Sequence, residues 1–178
     1  MRIITGTARG RRLKEPADQA VRPTTSMVKE ALFSIIQFDI EGRRVLDLFA
    51  GTGQLGLETL SRGAKSCDFV DSTKASIELV KHNIKASELT GGRVFLSDAR
   101  SFLQKRERYD LIFLDPPYDF PHLDRIIQDI VTFDILHKNG IMVCETKREA
   151  ELPDVEAPYE KGKEYRYGKV KLTIYTRV

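Results

Sequence analysis

The tetrapeptide Asp115-Pro116-Pro117-Tyr118 is the segment of this 178-residue chain whose residue types most clearly suggest chemistry. Its two prolines restrict the backbone φ angles and so predict a rigid loop. In such a loop the Asp115 carboxylate and the Pro116 carbonyl can accept two hydrogen bonds at one point. The Tyr118 ring offers a face on which a planar base can stack. A rigid structural loop without a ligand is the alternative interpretation.

Two acceptors beside an aromatic face suit the exocyclic amino group of a nucleobase. Its nitrogen is a poor nucleophile because the lone pair is delocalised into the ring. Acceptors that hold both amine hydrogens favour a pyramidal nitrogen whose lone pair points at a methyl carbon roughly 3–3.5 Å away. Positioning then supplies most of the catalysis, and Asp115 can accept the proton late in the reaction. We therefore predict that the catalytic residues are Asp115, Pro116, Pro117 and Tyr118.

A glycine loop precedes this tetrapeptide. Gly51, Gly53 and Gly56 match the pattern G-x-G-x-x-G between an apolar run and a predicted helix, where glycines permit a tight turn and close approach of a ligand. Asp71 lies twenty positions after Gly51, where a carboxylate can accept hydrogen bonds from ribose hydroxyls. The spacing fits NAD and S-adenosylmethionine equally, and a tight turn without a ligand also fits.

Asp47, four positions before Gly51, distinguishes between the two cofactors. A carboxylate there repels a pyrophosphate and attracts an ammonium or a sulfonium, which favours S-adenosylmethionine. A structural role in bracing the loop is the alternative. Asp98 is a candidate acceptor for an adenine amino group and also a candidate helix cap. The cofactor contacts predicted in these segments are Asp47, Phe49, Ala50, Gly51, Gly53, Asp71, Ser72, Asp98 and Ala99.

The surrounding sequence predicts the elements that position these residues. The predicted strands are 44–49, 67–71, 94–96, 109–114 and 140–144, and the predicted helices are 27–38, 55–61, 73–87, 99–105 and 123–133. This alternation is typical of βαβ units in a mostly parallel, Rossmann-like sheet that is covered on both faces. Segments 164–167 and 170–175 flank Gly168-Lys169 and predict an antiparallel C-terminal hairpin. The predicted fold class is α/β.

The charge is distributed unevenly along the chain. Residues 1–44 carry nine Lys/Arg against five Asp/Glu, and residues 161–178 carry six against one, whereas residues 45–160 are acidic. The basic residues before Glu15 are Arg2, Arg9, Arg11, Arg12 and Lys14. Gly6 and Gly10 let this segment bend, so that it can follow a phosphate backbone; a solvated arm is the alternative. We divide the chain into a small basic N-terminal extension of hairpin and helix, 1–40, and a catalytic domain, 41–178.

The combination of these motifs resembles a known group of enzymes. The glycine loop together with Asp115–Tyr118 resembles class I S-adenosylmethionine-dependent methyltransferases that act on amino nitrogens. The segments MRIITG, RGRRL, RPT and EALF near the start narrow the resemblance to the bacterial RsmD-type enzymes, which methylate N2 of one guanine in small-subunit ribosomal RNA. The resemblance extends over nearly the whole chain. Ser26 and Ser34 depart from it, because the family usually has aspartate and asparagine at these positions.

The resemblance implies roles for further residues. It places Arg22 and Thr24 beside the cofactor and the target base, and we expect Thr24 to contact the cofactor. The predicted RNA-binding residues are Arg9, Arg11, Arg12, Lys14 and Arg22. The expected partner is ribosomal RNA or an assembly intermediate of the small ribosomal subunit, and a monomer suffices. A target base inside a helix is unreachable, so we expect a looped-out or flipped guanine.

Other functions remain compatible with parts of the pattern. An adenine-N6 DNA methyltransferase can use the same tetrapeptide, although the chain has no spare length for a domain that reads DNA. A non-catalytic RNA-binding subunit is a second alternative. Metal-ligand spacing is not found, so no metal site is predicted. Cys67 and Cys144 lie in apolar contexts, and no apolar run reaches the roughly 18 residues of a membrane span, so we expect a cytoplasmic location.

Overall fold

The computed structural model of the chain describes residues 1–17 and 25–178. The strands are β1 (Arg44–Asp47), β2 (Ser66–Asp71), β3 (Gly92–Leu96), β4 (Tyr109–Leu114), β5 (Leu136–Lys147), β6 (Tyr159–Tyr167) and β7 (Val170–Arg177). The helices are α1 (Ser26–Ile35), α2 (Gln54–Ser61), α3 (Lys74–Ser87), α4 (Ala99–Leu103) and α5 (Leu123–Thr132).

The strands form one sheet in the order β3-β2-β1-β4-β5-β7-β6. Strands β1 to β5 pair in parallel, whereas β7 runs antiparallel to both β5 and β6. The predicted α/β sheet, mostly parallel with an antiparallel C-terminal hairpin, is confirmed. Because the strand order reverses between β1 and β4, their carboxyl ends border the crevice in which open α/β sheets bind ligands.

Helices cover both faces of the sheet. On one face α1, α2 and α3 pack against the sheet, and the Phe33 ring lies 6.1 Å from that of Phe113. On the other face α4 and α5 contribute Phe102, Ile126 and Ile130 to a second apolar cluster. Strands buried on both faces explain the near-continuous apolar runs from which the sheet was predicted.

Some element boundaries differ from those that the sequence predicts. Strand β5 extends from residue 136 to 147 rather than from 140 to 144, because β7 pairs with it as far as Lys147 and Leu136 pairs with Tyr109. Helix α1 covers Ser26–Ile35 rather than 27–38, and Thr25 caps it by accepting a hydrogen bond from the Val28 amide. Pairing across the sheet and side-chain capping set these limits, and hydropathy does not report either.

The N-terminal segment folds onto the same core as the sheet. Arg2 and Arg12 form an antiparallel bridge, and Ile3, Ala8 and Leu13 are buried in the cluster on the α1 side. Gly6 and Gly10 have φ of +89° and +82°, so both predicted bend positions use backbone conformations that favour glycine. The division of the chain at residue 40 stays a prediction.

A buried ion-pair network holds this segment against α1 and α2. Glu58 is fully buried and accepts hydrogen bonds from the amides of Ile4 and Thr5 at 2.8 and 2.9 Å. Its carboxylate also lies 3.1 Å from Lys29 Nζ and 3.0 Å from Arg62 Nε. Burial lowers the pKa of Lys29, and the adjacent Glu58 opposes that shift. The Glu58 side chain therefore links the N-terminal segment to α1 and α2.

Strand β6 forms one edge of the sheet. Its pairing with β7 shifts register between Lys161 and Glu164, where Gly162 and Lys163 stand opposite the single residue Ile174. Exposed charged residues on this strand include Glu160 and Lys163. The edge is therefore both irregular and charged.

Neither thiol of the chain is accessible. Cys67 and Cys144 are free and buried, and burial raises the pKa of both. Within residues 1–17 and 25–178, no helix combines the length and the apolar character that crossing a membrane requires.

We predict that Glu58→Gln lowers the free energy of unfolding by about 3–5 kcal/mol, because it leaves the buried Lys29 ammonium without its counter-charge. Denaturant unfolding measures the difference. Glu41→Gln is the matched control, since Glu41 is exposed and forms no ion pair among the described residues. Equal stability of the two variants would contradict the role assigned to Glu58.

Candidate functional site

A cavity of about 790 Å³ opens at the carboxyl ends of β1, β2 and β4. It brings together most of the residues that the sequence singles out. The predicted residues that line it are Asp47, Phe49, Ala50, Gly51, Asp71, Ser72, Asp98, Ala99, Asp115, Pro116, Pro117 and Tyr118. Two separate motifs, 64 positions apart at Gly51 and Asp115, thus face one space.

The three glycines of the loop have different structural roles. Gly51 has φ +57°, and a Cβ built there meets nothing within 4 Å, so the backbone is open to a ligand. Gly53, at φ +82°, caps α2 and is not among the residues that line the cavity. A Cβ at Gly56 would lie 2.3 Å from the Phe69 ring, so this glycine permits close packing of α2 on β2.

Asp47 is buried at the end of β1 and lines the cavity. Its Oδ2 accepts a hydrogen bond from the Gly56 amide at 3.1 Å, and its Oδ1 has no hydrogen-bond partner among the described residues. Burial raises the pKa of Asp47 to about 7; the Gly56 amide opposes the shift, and the carboxylates of Asp115 and Asp71 add to it. A cationic ligand group would both satisfy the unpaired oxygen and offset the unfavourable charge.

Asp71 fixes the glycine loop and retains acceptor capacity. Its Oδ2 accepts from the Gly51 amide at 3.0 Å, and its Oδ1 accepts from the Thr73 amide at 2.9 Å and the Thr73 hydroxyl at 3.0 Å. A carboxylate offers about four acceptor positions. The three bonds therefore leave one position for a ligand hydroxyl, while the loop brace holds the carboxylate in place.

Asp98 is the cap of α4, as the sequence predicts. Its Oδ1 accepts a hydrogen bond from the Ser101 amide at 3.0 Å, and interactions with Ser101 lower the pKa of Asp98. Capping and contact with a ligand are compatible, because the side chain also lines the cavity. Its role in recognising adenine stays a prediction.

The loop Asp115–Tyr118 directly follows β4. Pro116 is buried, whereas Tyr118 remains 39 % exposed, so one proline anchors the loop and the ring is accessible. The Phe120 ring packs edge-on against Phe49, with 5.0 Å between centroids, and so connects this loop to the glycine loop. The arrangement can present Asp115 and an aromatic face to a ligand at the end of a central strand.

Several residues of the cavity were not identified from the sequence. They are Gln54, Ser97, Arg100, Phe120, His122, Glu145 and Lys147. For Glu145 a signal was present, because the predicted strand 140–144 ends one residue before it, just as predicted strands end next to Asp71 and Asp115. His122, by contrast, is an exposed side chain before α5 that no local pattern marks.

The predicted RNA-binding arginines and lysine have different surroundings. Arg9, Arg12 and Lys14 are exposed and form no ion pair among the described residues. Arg11 instead pairs with Glu88, with 2.5 Å between Nη2 and Oε2. Its charge is therefore partly neutralised by the C-terminal end of α3.

Asn83 connects the basic segment to the glycine loop. Its Nδ2 donates to the carbonyls of Thr52 and Lys14 at 2.9 and 3.0 Å, and its Oδ1 accepts from the Lys14 amide at 2.7 Å. The side chain is fully buried in α3. Lys14 is therefore held next to the wall of the cavity.

Two predicted residues, Arg22 and Thr24, lie outside the described residues. The described residues near them on either side are Pro16 and Thr25, and both line the cavity. The proposed roles of Arg22 and Thr24 stay predictions.

The chain is similar to known proteins over nearly its whole length. The model of a family described as conserved hypothetical protein 95 matches residues 1–176. The chain is 41% identical over 182 residues to YlbH of Bacillus subtilis, described as a candidate rRNA methyltransferase, with 99% of each chain covered. It is 34% identical over 178 residues to ribosomal RNA small subunit methyltransferase D of Escherichia coli K12, covering 99% of this chain and 90% of that one. The solved structure of the yhhF candidate methyltransferase from Escherichia coli superposes with a TM-score of 0.89 at 33% identity, covering 99% and 97%.

We predict that Asp47→Asn changes how stability depends on pH in the absence of any ligand. Because the pKa of Asp47 is raised to about 7 in the folded protein, the wild type loses stability as pH rises from about 4 through 7. The variant lacks this loss, so its free energy of unfolding should exceed that of the wild type by a few kcal/mol above pH 7, given about 1.4 kcal/mol per pKa unit.

Denaturant unfolding from pH 4 to pH 8 measures this difference. Asp39→Asn serves as the control, because Asp39 forms no ion pair among the described residues and should show no such trend. Parallel pH profiles for Asp47→Asn and the wild type would refute the prediction.

Proposed function

The chain belongs to the family of ribosomal RNA small subunit methyltransferase D, and on that premise we propose that it transfers a methyl group from S-adenosylmethionine to N2 of a guanine in small-subunit ribosomal RNA. The observation that carries the proposal is the shared cavity, in which the Asp115–Tyr118 loop faces the same space as Asp47 and Asp71. A ribosomal RNA substrate supports a cytoplasmic location.

The lining of the cavity fits S-adenosylmethionine, which supplies a methyl group activated by a sulfonium. The unpaired Oδ1 of the buried Asp47 suits the positive charge of that cofactor. Asp71 can accept from ribose hydroxyls and Asp98 from the adenine amine, while the open backbone at Gly51 allows close approach. The same carboxylates would repel a pyrophosphate, which argues against a nicotinamide dinucleotide.

Asp115 and the Pro116 carbonyl hold the amine of the target base. When both hydrogens of the amine are accepted, the nitrogen lone pair is directed away from the ring and toward the methyl carbon. Asp115 then accepts the proton that the methylated nitrogen releases. Tyr118, with its exposed ring, stacks on the base and fixes its plane.

The exposed cations of the N-terminal segment support RNA as the substrate. Arg9 and Arg12 are available to phosphates, and Lys14 is held by Asn83 beside the glycine loop. A base inside a helix cannot reach the cavity, so the target guanine must lie in a loop or be flipped out.

The direct test is an assay of the intact chain with labelled S-adenosylmethionine. The substrates are small-subunit ribosomal RNA and small ribosomal subunits from cells that lack this protein, and the RNA is digested to nucleosides afterwards. We expect label in N2-methylguanosine. Label in N6-methyladenosine, or none with either substrate, would overturn the proposal.

We predict that Asp115→Ala lowers the rate of methyl transfer by about 10²–10⁴-fold, the range typical of a lost acid–base group. Cofactor affinity, measured by calorimetry, should stay within a few-fold of the wild type, because Asp115 contacts the base. The control Asp154→Ala changes a side chain that is 96% exposed and lies away from the cavity. Full activity of Asp115→Ala would exclude Asp115 from the mechanism.

We further predict that the double variant Arg9→Ala/Arg12→Ala weakens RNA binding and reduces the slope of log affinity against log salt by about 1–2, since each phosphate contact contributes about 0.7–0.9. The matched control is Lys138→Ala/Lys163→Ala, two exposed lysines on β5 and β6, which are distant in the strand order from the ends of α2 and α3 that the N-terminal segment contacts. Filter binding between 50 and 300 mM salt measures both. The same slope in both double variants would show that the two arginines do not contact RNA.

A further inference from the structure

A second cavity, of about 370 Å³, lies on the other side of the Asp115–Tyr118 loop. The two cavities share a wall whose residues line both. These residues are Pro116, Pro117, Tyr118, Phe120, Glu145 and Lys147. Because Glu145 is only 5% exposed, a nearly buried carboxyl group stands between the two spaces.

The pairing of β4 with β5 places Glu145 beside Asp115. Leu114 is the parallel partner of Cys144, so the next residues along the two strands, Asp115 and Glu145, follow at the same level of the sheet. Lys147 lies two positions further along β5, and alternate residues of a strand point to the same face. Asp115 and Glu145 therefore lie side by side across the two strands, and Lys147 lies beyond Glu145 on the same face of β5.

Lys147 lies close to the Tyr118 ring, on which we propose that the base stacks. Its Nζ lies 5.8 Å from the centroid of the Tyr118 ring, and its side chain is exposed. The ammonium is therefore next to the aromatic face that the proposed mechanism assigns to the target base.

The two carboxylates and the ammonium match the hydrogen-bonding groups of one nucleobase edge. The Watson–Crick edge of guanine presents the two N2 hydrogens, the N1 hydrogen and the O6 acceptor in succession. Asp115 accepts at N2, a carboxylate at the position of Glu145 can accept from N1–H, and the Lys147 ammonium can donate to O6. Adenine reverses the pattern, because its N1 is an acceptor and its C6 substituent is a donor.

We propose that Glu145 and Lys147 are the residues that select guanine, with Glu145 accepting the N1 hydrogen of the target base and Lys147 donating to its O6. This inference rests on the proposed function and assigns its base specificity. An adenine in the same position places a lone pair against the Glu145 carboxylate and an amine against the Lys147 ammonium. Both contacts set like hydrogen-bonding groups against each other, and one of them involves the nearly buried Glu145 carboxylate, where an enzyme rejects a mismatched analogue strongly.

The first test uses the wild-type protein and a modified substrate. An RNA fragment carries either guanine or 2,6-diaminopurine at the position found to be methylated. The analogue keeps the 2-amine but has a lone pair at N1 and an amine at C6. We expect kcat/KM for the analogue to be lower by at least about 100-fold, the effect of two mismatched contacts. Similar kcat/KM values for the two bases would overturn the inference without requiring any variant.

The second test uses Glu145→Gln, whose side-chain amide can donate to the N1 lone pair of the analogue. We expect the ratio of kcat/KM for guanine over 2,6-diaminopurine to fall by about 10-fold or more, while cofactor affinity measured by calorimetry is retained. Lys147→Met should also reduce the ratio, because the donor to O6 is lost. Glu149→Gln is the matched control, since Glu149 is exposed and lines neither cavity.

The outcomes separate the two claims. If the wild type methylates no guanine N2, the proposed function fails. If it methylates guanine and Glu145→Gln keeps the full discrimination against the analogue, the proposed function stands and the assignment of Glu145 is wrong.

Discussion

The burial of a carboxylate next to two others, at one edge of the sheet, governs the site. Asp71, Asp47 and Asp115 lie at the carboxyl ends of the adjacent parallel strands β2, β1 and β4. Glu145 lies near the end of β5, the next strand in the sheet. Burial raises the pKa of Asp47, and the neighbouring carboxylates of Asp115 and Asp71 add to that rise. Backbone amides of the glycine loop offset part of the charge, since the Gly56 amide donates to Asp47 and that of Gly51 to Asp71. This cluster of carboxylates favours a cationic ligand, and it favours nucleobases that donate hydrogen bonds to it.

Buried polar side chains of α2 and α3 hold the N-terminal segment against the sheet. Glu58 holds the backbone at Ile4 and Thr5, and Asn83 holds Lys14 and Thr52 together. Both side chains are fully buried, so the positions of the exposed cations are set by the core and not by their own charges. The segment that we propose binds RNA therefore has a defined orientation relative to the cavity.

The sequence alone predicts the parts of the site that are local in the chain. The glycine loop, Asp47, Asp71 and Asp115 could be found because each follows a short apolar run at which a strand ends. Glu145 follows a predicted strand in the same way and was missed, because only the pairing of β4 with β5 shows that it lies beside Asp115. The ion pair of Arg11 with Glu88 likewise joins residues that are distant in the chain. The sequence therefore predicted one more unpaired positive charge in the N-terminal segment than the structure shows. The domain boundary at residue 40 and the roles of Arg22 and Thr24 stay predictions.

The edge formed by β6 has a consequence for the behaviour of the protein at high concentration. An unpaired edge strand can recruit a strand from another molecule, and a long regular one is a starting point for aggregation. Here the register shift between Lys161 and Glu164 interrupts the row of backbone groups, and the charged side chains disfavour stacking against a second copy. The hairpin that completes the sheet therefore also disfavours strand addition at the β6 edge.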